Sequence, residues 1–194
     1  ENVVKRSGAQ KGDVICVTGD LGGAYMGLHI LEREKQEFKS NPEMQPDLSD
    51  KTYIVERQLK PEARMDFIYS LKELNCKPSS MIDISDGLAS ELFHLHKNSK
   101  MGMKIYEDKL PVDELTRKTS LEFNIDPTTS VLNGGEDYEL LFTISLEEFE
   151  KLKNHPDVTS IGYVTEYQEG VKMVFRSGNL RDIEAQGWQH FKTN

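Results

Sequence analysis

The sequence predicts an α/β fold of the α+β kind, a mixed β-sheet covered by helices. Two observations carry this expectation. Apolar runs of strand length occur at 14–18, 80–85, 138–144, 158–164 and 171–175, with turn-forming residues between them. Other stretches place apolar residues at helical spacing, as in Ala24, Leu28 and Leu31, or Leu88, Leu92 and Leu95. The sequence shows no internal repeat or low-complexity tract.

Taken in order, residues 1–13 read as a connector between domains. They are polar, lack an initiator methionine and end on a Gly12-Asp13 turn. A buried strand follows at 14–18, opening a domain that is expected to run from 14 to 194. Gly19-Asp20-Leu21-Gly22-Gly23 then forms a tight loop before a helix that contains Ala24. Such a loop either offers backbone N–H groups to an anion or meets a need for positive φ angles. It is not a dinucleotide fingerprint, and no GxxxxGK[ST] phosphate loop occurs. Residues 35–56, with Pro42 and Pro46, are polar and irregular, which predicts an exposed insertion or mobile loop with room for a short helix. Pro61 opens an amphipathic helix whose buried stripe would be Ala63, Phe67, Leu71 and Leu74. The run at 80–85 is the next strand and 88–98 the next helix. Pro111 and Asp113-Glu114 mark a further helix start. The remainder reads as a core strand at 138–144, a charged helix at 147–154, and strands at 158–164 and 171–175 joined by a hairpin-like link.

Acidic residues outnumber basic ones by 33 to 24, for a formal charge of −9. This argues against binding nucleic acid or an anionic membrane. It leaves anionic substrates open, because divalent cations can stand between carboxylate and phosphate. No apolar stretch reaches membrane-spanning length, and no secretory signal is evident. Cys16 and Cys76 lack ligand-like spacing, so free thiols and a cytoplasmic location are expected. No His/Cys cluster supports zinc, and His29, His94 and His96 read as surface or partly buried residues.

Two polar clusters carry the chemistry. In Met81-Ile82-Asp83-Ile84-Ser85-Asp86-Gly87-Leu88, an apolar run leads into two carboxylates and a hydroxyl, then glycine and a helix. Extended geometry points Asp83 and Ser85 to one face, and the turn at Asp86-Gly87 can bring the second carboxylate to the same point. That suits a magnesium ion, which takes oxygen ligands and keeps water and phosphate in its shell. The competing reading is structural, with Asp86 capping the helix and Ser85 serving the turn. In Gly134-Gly135-Glu136-Asp137-Tyr138, the glycines permit a tight path and the acids sit at the mouth of a strand. These acids either receive a cationic or amine-bearing substrate or form an ordinary solvated turn, while Tyr138 reads as core. Arg6 lies in the connector, where its guanidinium reaches a phosphate or stays on the surface. Trp188, the only tryptophan, either plugs the core edge or stacks on an aromatic ligand.

Taken together, five segments resemble the thiamine-monophosphate kinases, within the superfamily of ATP-binding enzymes related to aminoimidazole ribonucleotide synthetase. They are Arg6-Ser7-Gly8-Ala9-Gln10-Lys11-Gly12-Asp13, Val17-Thr18-Gly19-Asp20-Leu21-Gly22, the 81–88 run, Gly134-Gly135-Glu136-Asp137-Tyr138-Glu139-Leu140-Leu141, and Gly187-Trp188-Gln189-His190-Phe191. The resemblance implies the C-terminal domain fold of that superfamily and transfer of the ATP γ-phosphoryl group to thiamine monophosphate. It implies that Asp83 and Asp86 bind Mg2+ and act in catalysis, that Arg6 and Ser85 contact ATP, and that Glu136, Asp137 and Trp188 contact thiamine monophosphate. It further implies a homodimer in full length. The family's N-terminal domain, with its aspartate-rich metal motif, is not among these residues, so the isolated chain is expected to be inactive. Two alternatives stand beside this expectation: another ATP-dependent enzyme of the superfamily, or a non-catalytic ligand-binding or dimerisation module.

Overall fold

The computed structural model describes residues 3–43 and 45–184. Among them, strands β1 (Val14–Thr18), β2 (Ser80–Asp83), β3 (Gly102–Tyr106), β4 (Leu140–Ile144), β5 (Val158–Thr165), β6 (Val171–Val174) and β7 (Leu180–Asp182) form one sheet in the order β2-β4-β1-β5-β3-β6-β7. Neighbouring strands run antiparallel except β3 and β6, which run parallel. The helices are α1 (Gly23–Ser40), α2 (Thr52–Leu59), α3 (Met65–Glu73), α4 (Leu88–Ser99), α5 (Glu114–Glu122), α6 (Pro127–Asn133) and the single turn α7 (Leu146–Phe149).

Alternation along the strands builds two cores. On one face Ile15, Val17, Ile82, Leu141, Met103 and Ile105 pack with Leu88, Leu92 and Leu95 of α4. On the other, Cys16, Phe142 and Ile144 meet Phe67 and Leu71 of α3 and Leu152. The Phe67 and Phe142 rings lie 5.2 Å apart, and burying each such side chain contributes about 1.5–3 kcal/mol. Both cysteines are free and buried in this layer.

Several expectations are corrected. The 35–56 stretch is exposed over its described residues to 50 apart from half-buried Leu48 and carries the short helix α2, but α1 continues into it to Ser40, and Ile54 and Val55 of α2 pack on Met26 and Ile30 as a third core. α3 begins at Met65, not Pro61, and Ala63 and Leu74 are exposed. The strands β5 and β6 form no hairpin, because β3, unforeseen in the sequence, lies between them and pairs with both. α6 was also unforeseen, although Pro127 opens it and the Asp126 side chain accepts from the Thr128 amide. α7 is far shorter than the charged helix expected at 147–154.

The opening segment is docked onto the sheet. The Met81 amide donates to the Lys5 carbonyl at 2.9 Å. The amides of Gly8 and Ala9 both donate to Ser99 Oγ at 3.2 Å. Asp13 is buried and accepts from the Ser79 hydroxyl. This segment thus runs beside β2 and the end of α4.

Candidate functional site

Strand pairing brings the two polar clusters together. β2 and β4 run antiparallel with Asp83 opposite Leu140, so the end of one strand meets the start of the other. The loops beyond are stitched by backbone hydrogen bonds: Ile84 N–H to the Glu139 carbonyl at 2.7 Å, Tyr138 N–H to the Ile84 carbonyl at 2.9 Å, and Glu136 N–H to the Ser85 carbonyl at 2.9 Å. Glycine is needed for this fit. A Cβ on Gly135 would lie 2.5 Å from the Ser85 carbonyl oxygen. At Gly87, where φ is +102°, an added Cβ would lie 2.7 Å from the Leu132 carbonyl oxygen.

Asp83 and Asp86 are both exposed, and neither carboxylate has a hydrogen bond or ion pair among the described residues. The capping role weighed for Asp86 is not seen. Gly87 is the N-cap of α4 and no side chain caps it. Glu91, which the sequence did not single out, holds the turn before the helix instead. Its Oε1 accepts from the Ser85 amide (3.3 Å), the Asp86 amide (3.2 Å) and the Ser85 hydroxyl (3.3 Å). Glu91 is buried, its Oε2 has no partner, and burial raises its pKa. The Asp86 carboxylate is thereby left free. No group of three or more His, Cys, Asp or Glu side chains able to hold a metal occurs among the described residues. Two unpartnered carboxylates still fit magnesium, which draws its remaining ligands from water and phosphate.

In the second cluster the three side chains part company. Glu136 is exposed, Asp137 is buried and Tyr138 is half-buried. Glu136 and Tyr138 both have positive φ, +70° and +52°, values uncommon for residues with side chains. The Tyr138 hydroxyl donates to Glu136 Oε2 at 3.0 Å. Tyr138 belongs to none of the three cores, so its reading as a core residue is corrected.

Asp137 points inward, accepting from the Gly22 amide at 2.6 Å and the Ala24 amide at 3.1 Å. Burial pushes its carboxyl up to about 6, against the pull of the Gly22 N–H and the nearby Arg57. The glycine loop before α1 shows the positive φ angles its sequence suggested, and its Gly22 N–H is taken by a side chain of the protein itself. Gly19 and Gly22 take positive φ, and the anion its N–H groups meet is Asp137. Behind it, Arg57 pairs with Glu139 at 2.7 Å and Asp137 at 3.6 Å, and Arg64 approaches Glu139 at 3.6 Å. A polar cleft of about 570 Å³ lies beside these arginines, lined also by Tyr53 and Lys60.

Arg6 is exposed and follows Lys5, whose carbonyl accepts from the Met81 amide of β2. Trp188 lies outside the described residues. Asp83, Asp86, Ser85, Glu136 and Asp137 thus converge at one end of the sheet, with Glu136 and the aspartate pair facing solvent and Asp137 buried.

Comparison with known proteins agrees with this architecture. The thiamine-monophosphate kinase of Aquifex aeolicus is 34% identical over 191 residues, covering 98% of this chain and 56% of that enzyme. The thiamine-monophosphate kinase of Escherichia coli K12 is 34% identical over 196 residues, 97% of this chain and 55% of the enzyme. The chain therefore spans about half the length of the curated relatives it matches. Among solved structures, AaThiL complexed with AMPPCP and TMP matches with a TM-score of 0.79 at 32% identity, covering 97% of this chain and 54% of that one. Escherichia coli HypE, a hydrogenase maturation protein, shares the fold alone, with a TM-score of 0.65 at 17% identity over 98% of this chain and 53% of its own. Residues 10–175 match the family described as AIR synthase related protein, C-terminal domain, and the chain belongs to that family.

Proposed function

We propose that this chain is the C-terminal part of a thiamine-monophosphate kinase, which transfers the γ-phosphoryl group of ATP to thiamine monophosphate and releases ADP. The observation that carries the reading is the convergence of two unpartnered carboxylates, Asp83 and Asp86, with the exposed Glu136 on stitched loops. Relatives named thiamine-monophosphate kinase support it, as does the AaThiL structure with AMPPCP and TMP.

Asp83 and Asp86 would hold Mg2+. When bound, that ion neutralises phosphate charge and lets two anionic molecules approach. The acceptor is a phosphate monoester, so its terminal oxygen is already a nucleophile and no strong general base is needed. The bond from the γ-phosphorus to ADP breaks as the bond to that oxygen forms. Arg6 would contact ATP through its guanidinium. Ser85 would do so through its hydroxyl, which must then leave Glu91. Glu136 would accept from the amino group of the thiamine pyrimidine and face its positive thiazolium. Asp137 would serve the same substrate through the loop, since its carboxylate is committed to the start of α1. Trp188 would stack on the thiamine rings. The complete protein is proposed to be a cytoplasmic homodimer.

The test is phosphoryl transfer by the complete protein that carries this chain, supplied with ATP, Mg2+ and thiamine monophosphate. Asp83→Asn is expected to keep the fold and to lower kcat/KM by about a hundredfold or more. Full activity in that variant, or no transfer by the parent protein, refutes the proposal. These 194 residues alone are expected to be inactive.

A further inference from the structure

We propose that Tyr138 is a positioning residue that fixes the Glu136 carboxylate for an amine-bearing, cationic substrate; this rests on the function proposed above. Glu136 and Tyr138 flank the inward-facing Asp137, and both hold positive φ angles. A bulky aromatic residue in that region is an outlier, and such conformations persist where surrounding structure over-determines them. Here it does. The amides on either side are held by the Ser85 and Ile84 carbonyls, and Asp137 is locked to Gly22 and Ala24.

The outcome of this strained path is that residues 136 and 138 present their side chains to each other. The phenol donates to Glu136 Oε2 at 3.0 Å. One carboxylate oxygen is thus occupied, and Oε1, on an exposed side chain, is left to accept from a ligand. Burying the ring would be the ordinary use of a tyrosine, yet Tyr138 joins no core. A free Glu side chain would sample several rotamers, and one hydrogen-bonded to a rigid neighbour is ordered before the ligand arrives.

Tyr138→Phe keeps the ring and the backbone and removes only the donor. In the complete protein, the KM for thiamine monophosphate is expected to rise about tenfold, with kcat and the KM for ATP within about twofold. Thermal stability should stay close to that of the parent. In a Glu136→Ala background, which removes the acceptor altogether, the same change should add little, since the two residues act as one unit. An unchanged KM for thiamine monophosphate, equal changes for both substrates, or a full effect that persists beside Glu136→Ala overturns the inference while leaving the function standing. A parent protein that transfers nothing to thiamine monophosphate overturns both.

Discussion

The backbone amide of Glu136 donates to the carbonyl of Ser85 at 2.9 Å, so two acidic motifs remote in sequence are held as one surface. That join is tightest at Gly135, where an added methyl would meet the Ser85 carbonyl oxygen at 2.5 Å. The obstacle is backbone rather than the tip of a flexible side chain. Gly135→Ala must therefore separate the loops or distort one of them. A stability loss of about 1–3 kcal/mol is expected, measured by urea unfolding. In the complete protein the same variant should need more Mg2+ for half-maximal activity, because Asp86 moves with its loop. Parent-like stability and Mg2+ dependence would show that the loops are not coupled through this contact.

Glu91 makes a second prediction. Its Oε1 takes two amides and a hydroxyl from the Ser85–Asp86 turn. Glu91→Ala strips the acceptor from those donors in a buried position and is expected to cost about 1–3 kcal/mol. Glu91→Gln keeps one carbonyl oxygen in place and should cost clearly less. Urea unfolding of both variants checks the order. Equal losses would assign the effect to the carboxylate charge, which both variants remove, instead of to the acceptor and volume that Gln retains.

Much of this was legible in the sequence, and the limits have physical causes. β1 and the β2–α4 unit announce themselves because apolar alternation ends abruptly in Asp, Ser and Gly. β3 carries a half-buried Lys104 and Tyr106 in a five-residue strand, and only its pairing with β5 and β6 reveals it as internal. α2 looked like part of a solvated loop because its buried pair, Ile54 and Val55, finds its partners on α1. Glu91 reads as one more charge on a helix until the turn it faces is in view. Glu136 and Asp137 are alike in sequence and opposite in fate. Their adjacency was the available signal, since neighbours in an extended segment face opposite ways. Which of the two turns inward is decided by the start of α1, more than a hundred residues away in the chain.

That inward carboxylate makes the third prediction, a pH dependence. Asp137 is held at about 6 in the fold by burial, against about 4 in an unfolded chain. Between those values the folded state keeps a proton that the unfolded state has released. Asp137 thus contributes stability that is fully present below about pH 4 and is lost as pH rises through about 6. The full change is on the order of 3 kcal/mol. Asp137→Asn cannot ionise, so comparing parent and variant cancels the titration of every other group to first order. The stability difference, parent minus variant, should fall steadily from pH 4 to pH 7, measured by urea unfolding at each pH. A difference that grows with pH would mean that the Gly22 and Ala24 amides, with Arg57 at 3.6 Å, outweigh burial and hold the carboxylate charged in the fold.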